Sequence, residues 1–292
     1  MTKRDMRGLA AGLLFISPWI VGFLLFTLYP IAQSLYFSLT DFTVIRDPVF
    51  IGAQNYVNLF NDPLFWMSLR NTMYMIIFGV TSTLFTALCV SILLNHRRLK
   101  GLSLFRVIFF IPTLMPLIIN CILWLWLLQP NDGLINTVLG NIGFPSTPPW
   151  FASPQWSRPA LILMMIWGSG GAVIIFLAGL QEIPETLYES ARLDGANFLQ
   201  LTLRITVPML SPIILFNAVM MVIGVFQYFA EPLIMTQGGP NNSTLFYSLY
   251  LYQNAFQFFR MGYASAMAWI LLIIALSIVF LLFKGLGRFK LD

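Results

Sequence analysis

Long apolar stretches, separated by short polar clusters that hold nearly all the charge, run the length of the chain. Six windows contain no charged residue: 8–40, 71–95, 107–131, 159–181, 205–230 and 261–283. A charge at a bilayer centre costs about 2.5–3.5 kcal/mol on insertion scales, so such windows mark candidate spans. At 1.5 Å rise per residue, even the shortest makes about 35 Å of helix, enough to cross a hydrocarbon core. The windows are continuously apolar, whereas barrel strands alternate over about ten residues. The pattern predicts an all-α polytopic membrane protein with six transmembrane helices, near 9–37, 71–94, 107–128, 159–180, 206–230 and 263–283. A seventh charge-free window, 232–259, opens with the turn-forming run 235–244 and leaves too short an apolar remainder to span. Its aromatic stretch 245–259 is expected as a helix lying at the outer interface.

Charge placement orients the six. With an even number of spans, both termini and the connections 96–106 and 182–204 share one side. That side holds Lys3, Arg4, Arg7, Arg97, Arg98, Lys100, Arg106, Arg192, Arg204, Lys284, Arg288 and Lys290. The other holds Arg46, Arg70, Arg158 and Arg260. The positive-inside rule makes the first side cytoplasmic. Three regions follow: 1–70, with the tail, first helix and outer loop; 71–283, a core of five further helices and their connections; and 284–292, a basic cytoplasmic tail.

Composition agrees with this placement and excludes other classes. Hydrophobic residues make up 58% of the chain, charged residues 9%, and the mean hydropathy is +0.81. A soluble domain carries about 25% charged residues. The pI near 9.4 reflects basic residues along the cytoplasmic edge and no aromatic-interleaved stripe, so nucleic-acid binding is not expected. The apolar start runs on without a small-residue cleavage pattern and reads as a retained first span that Pro18 and Pro30 should kink or terminate. Cys89 and Cys121 read as packing residues inside spans. Neither a catalytic constellation, a metal-ligand cluster nor a phosphate loop is present, and the single histidine, His96, sits in a basic turn. The spans also lack the acidic or histidine relays of ion-coupled carriers; only Glu231 stands at a span's outer end. A path with an external energy source fits better than a stand-alone channel or ion-coupled secondary transporter, the alternative class.

The cytoplasmic connection 181–212 is the most informative segment. Pro184 suits the first turn of a helix, with Glu182 and Glu185 near its positive end. Leu187 and Ala191 share one face. Gly195 can stop the helix with φ > 0, Asn197 can cap a second short helix through Arg204, and Pro208 and Pro212 mark the start of the fifth span. The expected shape is a bent helix pair standing off the membrane.

Here the chain resembles a family. Glu189-Ser190-Ala191, three residues, Gly195, nine residues, Ile205, one residue, Val207-Pro208 is similar to the "EAA" signature of binding-protein-dependent ABC importer permeases, with Ser190 and Val207 as departures. Thr202 stands where sugar-type members commonly carry Phe, and Asp194-Gly195-Ala196 has the form of the sugar-importing branch. Leu28-Tyr29-Pro30, Gly52 to Tyr56, Phe110-Ile111-Pro112, Asn131 to Asn136 and Thr236 to Pro240 also resemble maltose- and lactose-type permeases, in order along the chain. The resemblance implies the core of a type I importer in a bacterial plasma (inner) membrane. It implies a second homologous permease subunit, an ABC ATPase dimer at the cytoplasmic face that holds ATP and Mg, and an extracytoplasmic solute-binding protein that delivers a carbohydrate. This chain itself would carry no cofactor and no catalytic residue. Glu189, Ser190, Ala191, Asp194, Gly195, Ala196, Ile205 and Pro208 would couple to the ATPase, the helix seating in a groove of that subunit.

Asn217, Met221, Gly224 and Tyr228 fall on one helical face. Such a stripe suits either a sugar path, in which amides bond hydroxyls and rings stack on sugar faces, or an inter-helix contact. Gln227 and Glu231 match a Phe-Gln-x-Phe-x-Glu pattern of the sugar branch and favour the path. Gly168 to Ala172 reads as close helix packing through small residues rather than a loosened wall. No intramembrane basic pocket is visible, so a neutral di- or oligosaccharide is expected.

Overall fold

The computed structural model describes residues 3–95, 101–144 and 147–286, with side chains between 12 and 285 in those ranges. His96, Arg97, Arg98, Lys100, Arg288 and Lys290 lie outside the described residues.

In chain order, α1 (Lys3–Phe23) passes through a π-helical turn, Leu24–Leu28, into α2 (Tyr29–Ser38). Gly12–Ser38 is thus one unbroken apolar span. Neither Pro18 nor Pro30 terminates it. Pro30 falls in the first turn of α2, and the wider π turn before it absorbs the missing N–H. The hairpin β1 (Thr40–Thr43) and β2 (Arg46–Phe50) pairs Thr40 with Phe50 and Asp41 with Val49. After α3 (Gln54–Phe60) comes α4 (Pro63–Tyr74), which a second π turn, Met75–Val80, joins to α5 (Thr81–Leu94). This second span begins at Pro63, not near 71, because a helix tolerates Arg70 where its exposed side chain reaches water.

The next three crossings are bent, where continuous helices were expected. α6 (Leu102–Phe110) with the turn Ile111–Leu114 meets α7 (Leu117–Leu127) at 104°, at Met115 and Pro116. α8 (Leu134–Asn141) lies in the following loop. α9 (Pro154–Trp167) and α10 (Gly170–Glu182) bend by 46° at Gly168-Ser169. After α11 (Glu185–Leu193), the run α12 (Phe198–Leu201), Thr202–Thr206 and α13 (Val207–Met209) meets α14 (Ser211–Phe226) at 67°. The fifth span therefore ends at Phe226, not 230. Two short helices, α15 (Ala230–Met235) and α16 (Tyr247–Tyr252), precede the last span, α17 (Met261–Leu286). Counting each bent pair once gives six crossings.

Contacts divide the chain into two units, one of residues 1–62 and 251–272, the other of 63–250 and 273–292. In the second, Ala87 and Leu94 of α5 pack on Ala172, Val173, Phe176 and Leu177 of α10. Gly170 and Gly179 bring two other helices close to α10: a Cβ on Gly170 would collide with the Phe109 carbonyl oxygen of α6, and one on Gly179 with the Ile213 side chain of α14. The Gly168–Ala172 cluster is therefore a packing device, as expected. Asn71 crosses a long sequence interval, donating to the carbonyls of Asn242 (2.8 Å) and Leu245 (3.1 Å), and Thr72 Oγ1 accepts from the Tyr247 N–H (2.9 Å). These bonds place the expected aromatic helix at 247–252. Leu245, Phe246, Tyr247 and Leu249, in the first part of the stretch, are buried in protein rather than laid on an interface, because the polar anchors on α4 hold them inward, whereas Phe256, Phe258 and Phe259 are exposed.

Candidate functional site

The connection between α10 and α14 forms an elbow of two short helices. Pro184 stands just before α11, Glu185 occupies its first turn and Arg192 its last, the placement that complements the helix dipole. Glu182 instead closes α10, because Ile183 and Pro184 turn extended between the helices. α11 stops in a Schellman motif: the Ala196 N–H bonds the Ala191 carbonyl (2.9 Å) and the Gly195 N–H the Arg192 carbonyl (3.0 Å). Gly195 takes φ +82°, where a side chain is disfavoured though the space around it is open. Asn197 then caps α12 in a reciprocal box with Gln200 (2.8 and 2.9 Å). The Tyr188 hydroxyl lies 3.0 Å from that of Thr206 and ties α11 to the base of the fifth span.

Glu189, Ser190, Asp194 and Gly195 are exposed, and Ala191, Ala196, Ile205 and Pro208 half-buried. Ser190 returns its hydroxyl to the Thr186 carbonyl (2.8 Å) and so fits the helix where the signature has alanine. Within the bend, Ala191, Asp194, Gly195, Arg204 and Ile205 line a cleft of about 310 Å³. Leu193 (90% exposed), Phe198, Leu199 and Leu203 leave an apolar surface on this polar elbow, which the motif spacing did not single out although the side chains were legible. An exposed apolar surface on a short, rigidly stopped helix pair suits docking against another protein.

The residues of the fifth-span stripe separate. Asn217 is buried and its amide donates to the Ile213 carbonyl (2.9 Å). Met221 packs against the α5–α10 core, while Gly224 and Gln227 are exposed. The helix ends before Tyr228, which packs edge-on to Phe246 with ring centroids 5.6 Å apart. Glu231 lies in the first turn of a separate helix, α15, which packs on α7. On α7, Asn120 Oδ1 and Trp124 Nε1, one turn apart, are buried with no hydrogen-bond partner among the described residues. The sequence reading gave neither a role of its own; a polar Asn four residues before Trp in an apolar window was the available signal.

A family model described as "Binding-protein-dependent transport system inner membrane component" matches residues 79–288. The chain belongs to that family. It is similar to the probable ABC transporter permease protein YesP of Bacillus subtilis (strain 168), with 41% identity covering 94% of this chain and 89% of the relative. The lactose transport system permease protein LacF of Rhizobium radiobacter is 35% identical, over 93% of this chain and 92% of that one. Among solved structures, a bacterial ABC transporter involved in import of the acidic polysaccharide alginate matches with a TM-score of 0.82 and 25% identity, covering 99% of both chains. The permease is thus a multi-pass inner-membrane component of an ABC importer.

Proposed function

We propose that this permease forms half of the translocation path for a di- or oligosaccharide, in an importer completed by a second homologous permease, a separate ATPase dimer and an extracytoplasmic binding protein. Relatives named for lactose, arabinooligosaccharides and diacetylchitobiose support the substrate class. The elbow 183–208 is the lever. Its Schellman stop, capping box and Tyr188–Thr206 bond make a stiff body that carries displacement at α11 into the fifth span. Shifting a two-state gate from 1:99 to 99:1 takes about 5.5 kcal/mol of differential binding, which ATP on the ATPase can supply. The basic bias of the segments around the elbow supports a cytoplasmic placement.

Glu189, exposed on α11, would face a basic residue of the ATPase, and Leu193 and Phe198 its groove. Along the path, Asn217, Gly224, Gln227, Tyr228 and Glu231 would offer hydrogen bonds and a ring to the sugar, with Met221 supporting the wall. Purified alone, the chain is expected to neither hydrolyse ATP nor take up sugar, and to do both only in the complete assembly. Uptake driven by an ion gradient in ATP-free liposomes holding this chain alone would refute the reading.

A further inference from the structure

The unit of residues 1–62 and 251–272 holds a cavity of about 390 Å³ lined by Asp41, Asn55, Asn58, Asp62, Arg260 and Tyr263. Its walls are fixed. Buried Asn55 donates to the carbonyls of Ser38 (2.9 Å) and Thr40 (2.8 Å), and the Tyr263 hydroxyl donates to Asp62 Oδ2 (2.7 Å). A Cβ on Gly262 would collide with the Thr40 carbonyl oxygen, so only glycine lets the last helix start against β1. Phe259 adopts φ +55°, a left-handed conformation that disfavours a side-chain-bearing residue. That turn, with the Arg260 N–H bonded to the Asn254 carbonyl (2.8 Å), delivers Arg260 to the cavity.

The charges are less satisfied than the walls. Asp41 and Arg260 are both exposed, and among the described residues neither side chain has a hydrogen bond or ion pair. Two carboxylates face one guanidinium, leaving the cavity net negative. The same hairpin that contributes Asp41 exposes Ile45 (83%), Val44, Val49 and Phe50 beside it. A polar pocket edged by apolar side chains is the anatomy of a protein interface rather than of a solvated loop.

We propose that this cavity is a socket for a lysine or arginine side chain of the extracytoplasmic binding protein, seated on Asp41 and Asp62, with Arg260 taking an acidic residue of the same partner at the rim. The proposal rests on the importer reading above, including the topology that puts Arg46 and Arg260 on the outer side. A neutral di- or oligosaccharide would bring no charge to Asp41 or Arg260, and the apolar hairpin beside the cavity suits a protein surface.

The test uses the complete importer in nanodiscs, with the binding protein that stimulates its ATP hydrolysis as the probe. Asp41→Lys is expected to raise the Kd of that protein about tenfold at low salt, and the difference from wild type should shrink as salt screens it. Where that variant does not assemble, Asp41→Asn is expected to raise it about threefold. A charge-reversing lysine-to-glutamate change on the binding protein should restore affinity for Asp41→Lys. Unchanged affinity in both Asp41 variants overturns the proposal. So does protection of 40–62 and 259–263 from hydrogen exchange by free lactose alone, which would make the cavity a sugar site, or by anionic lipid alone, which would make it a membrane contact. Failure of any binding protein to stimulate the wild-type assembly would refute the importer reading instead.

Discussion

The hydroxyls of Tyr188 and Thr206 lie 3.0 Å apart and form a side-chain bond between the first helix of the elbow and the base of the fifth span. Thr206 is buried and also reaches the Leu201 carbonyl at 3.4 Å, so the pin is anchored on both flanks of the π-helical turn. A lever must resist bending at its fulcrum, and this contact lies where bending would occur.

Tyr188→Phe removes that bond while keeping the ring. A cost of about 1 kcal/mol in stability is expected, together with more ATP hydrolysed per sugar imported. Thr206→Val should produce the same uncoupling, and the double variant little more than either alone, because the two act through one contact. The ratio of hydrolysis to uptake in proteoliposomes checks it.

At Gly195 the obstacle to substitution is the backbone, since a Cβ there meets nothing within 4 Å. Gly195→Asn is expected to retain most coupling, because asparagine visits the left-handed region at low cost. Gly195→Val should abolish stimulated hydrolysis while membrane insertion persists. Normal transport by the valine variant would count against the lever.

Gly170 and Gly171 adjoin yet should differ sharply. A side chain at Gly170 collides with the Phe109 carbonyl oxygen, whereas at Gly171 it meets open space. Gly170→Val is expected to lose the folded assembly, and Gly171→Ala to shift its unfolding temperature little. Phe176→Ala, which empties the α5–α10 core, should cost about 3–5 kcal/mol.

Substitution at Gly224 distinguishes a path-facing surface from a lipid-facing one. It is exposed with open space around it. Gly224→Trp is expected to block sugar uptake while the assembled complex forms in normal amount. Unimpaired uptake would turn that face toward lipid and remove Gly224 from the path.

The elbow was legible because its determinants are local. Glycine after a helix, Asn197 three residues before Gln200, and the spacing from Glu189 to Pro208 each act within one or two turns. Span number was legible for a similar reason, since charge exclusion acts residue by residue. The 104° bend at Met115 and Pro116 was not, although Pro112 and Pro116 were visible, because Pro30 shows that a proline also fits a continuous span beside a π turn. The stripe through Tyr228 overran because Gln227 ends α14 and redirects the chain. Asn71 bonds residues 171 and 174 positions away, a relationship that periodicity does not encode.

Leu193, 90% exposed at the end of α11, is the position where the lever should meet its driver. A single cysteine at Leu193, in a background lacking Cys89 and Cys121, can be crosslinked in the complete importer within membrane vesicles of known orientation. A crosslink to the ATPase subunit that changes in yield between nucleotide-free and ATP-bound states is the expected result. Labelling of that cysteine by an impermeant reagent from the extracytoplasmic side, or no crosslink to the ATPase in either state, would contradict the account.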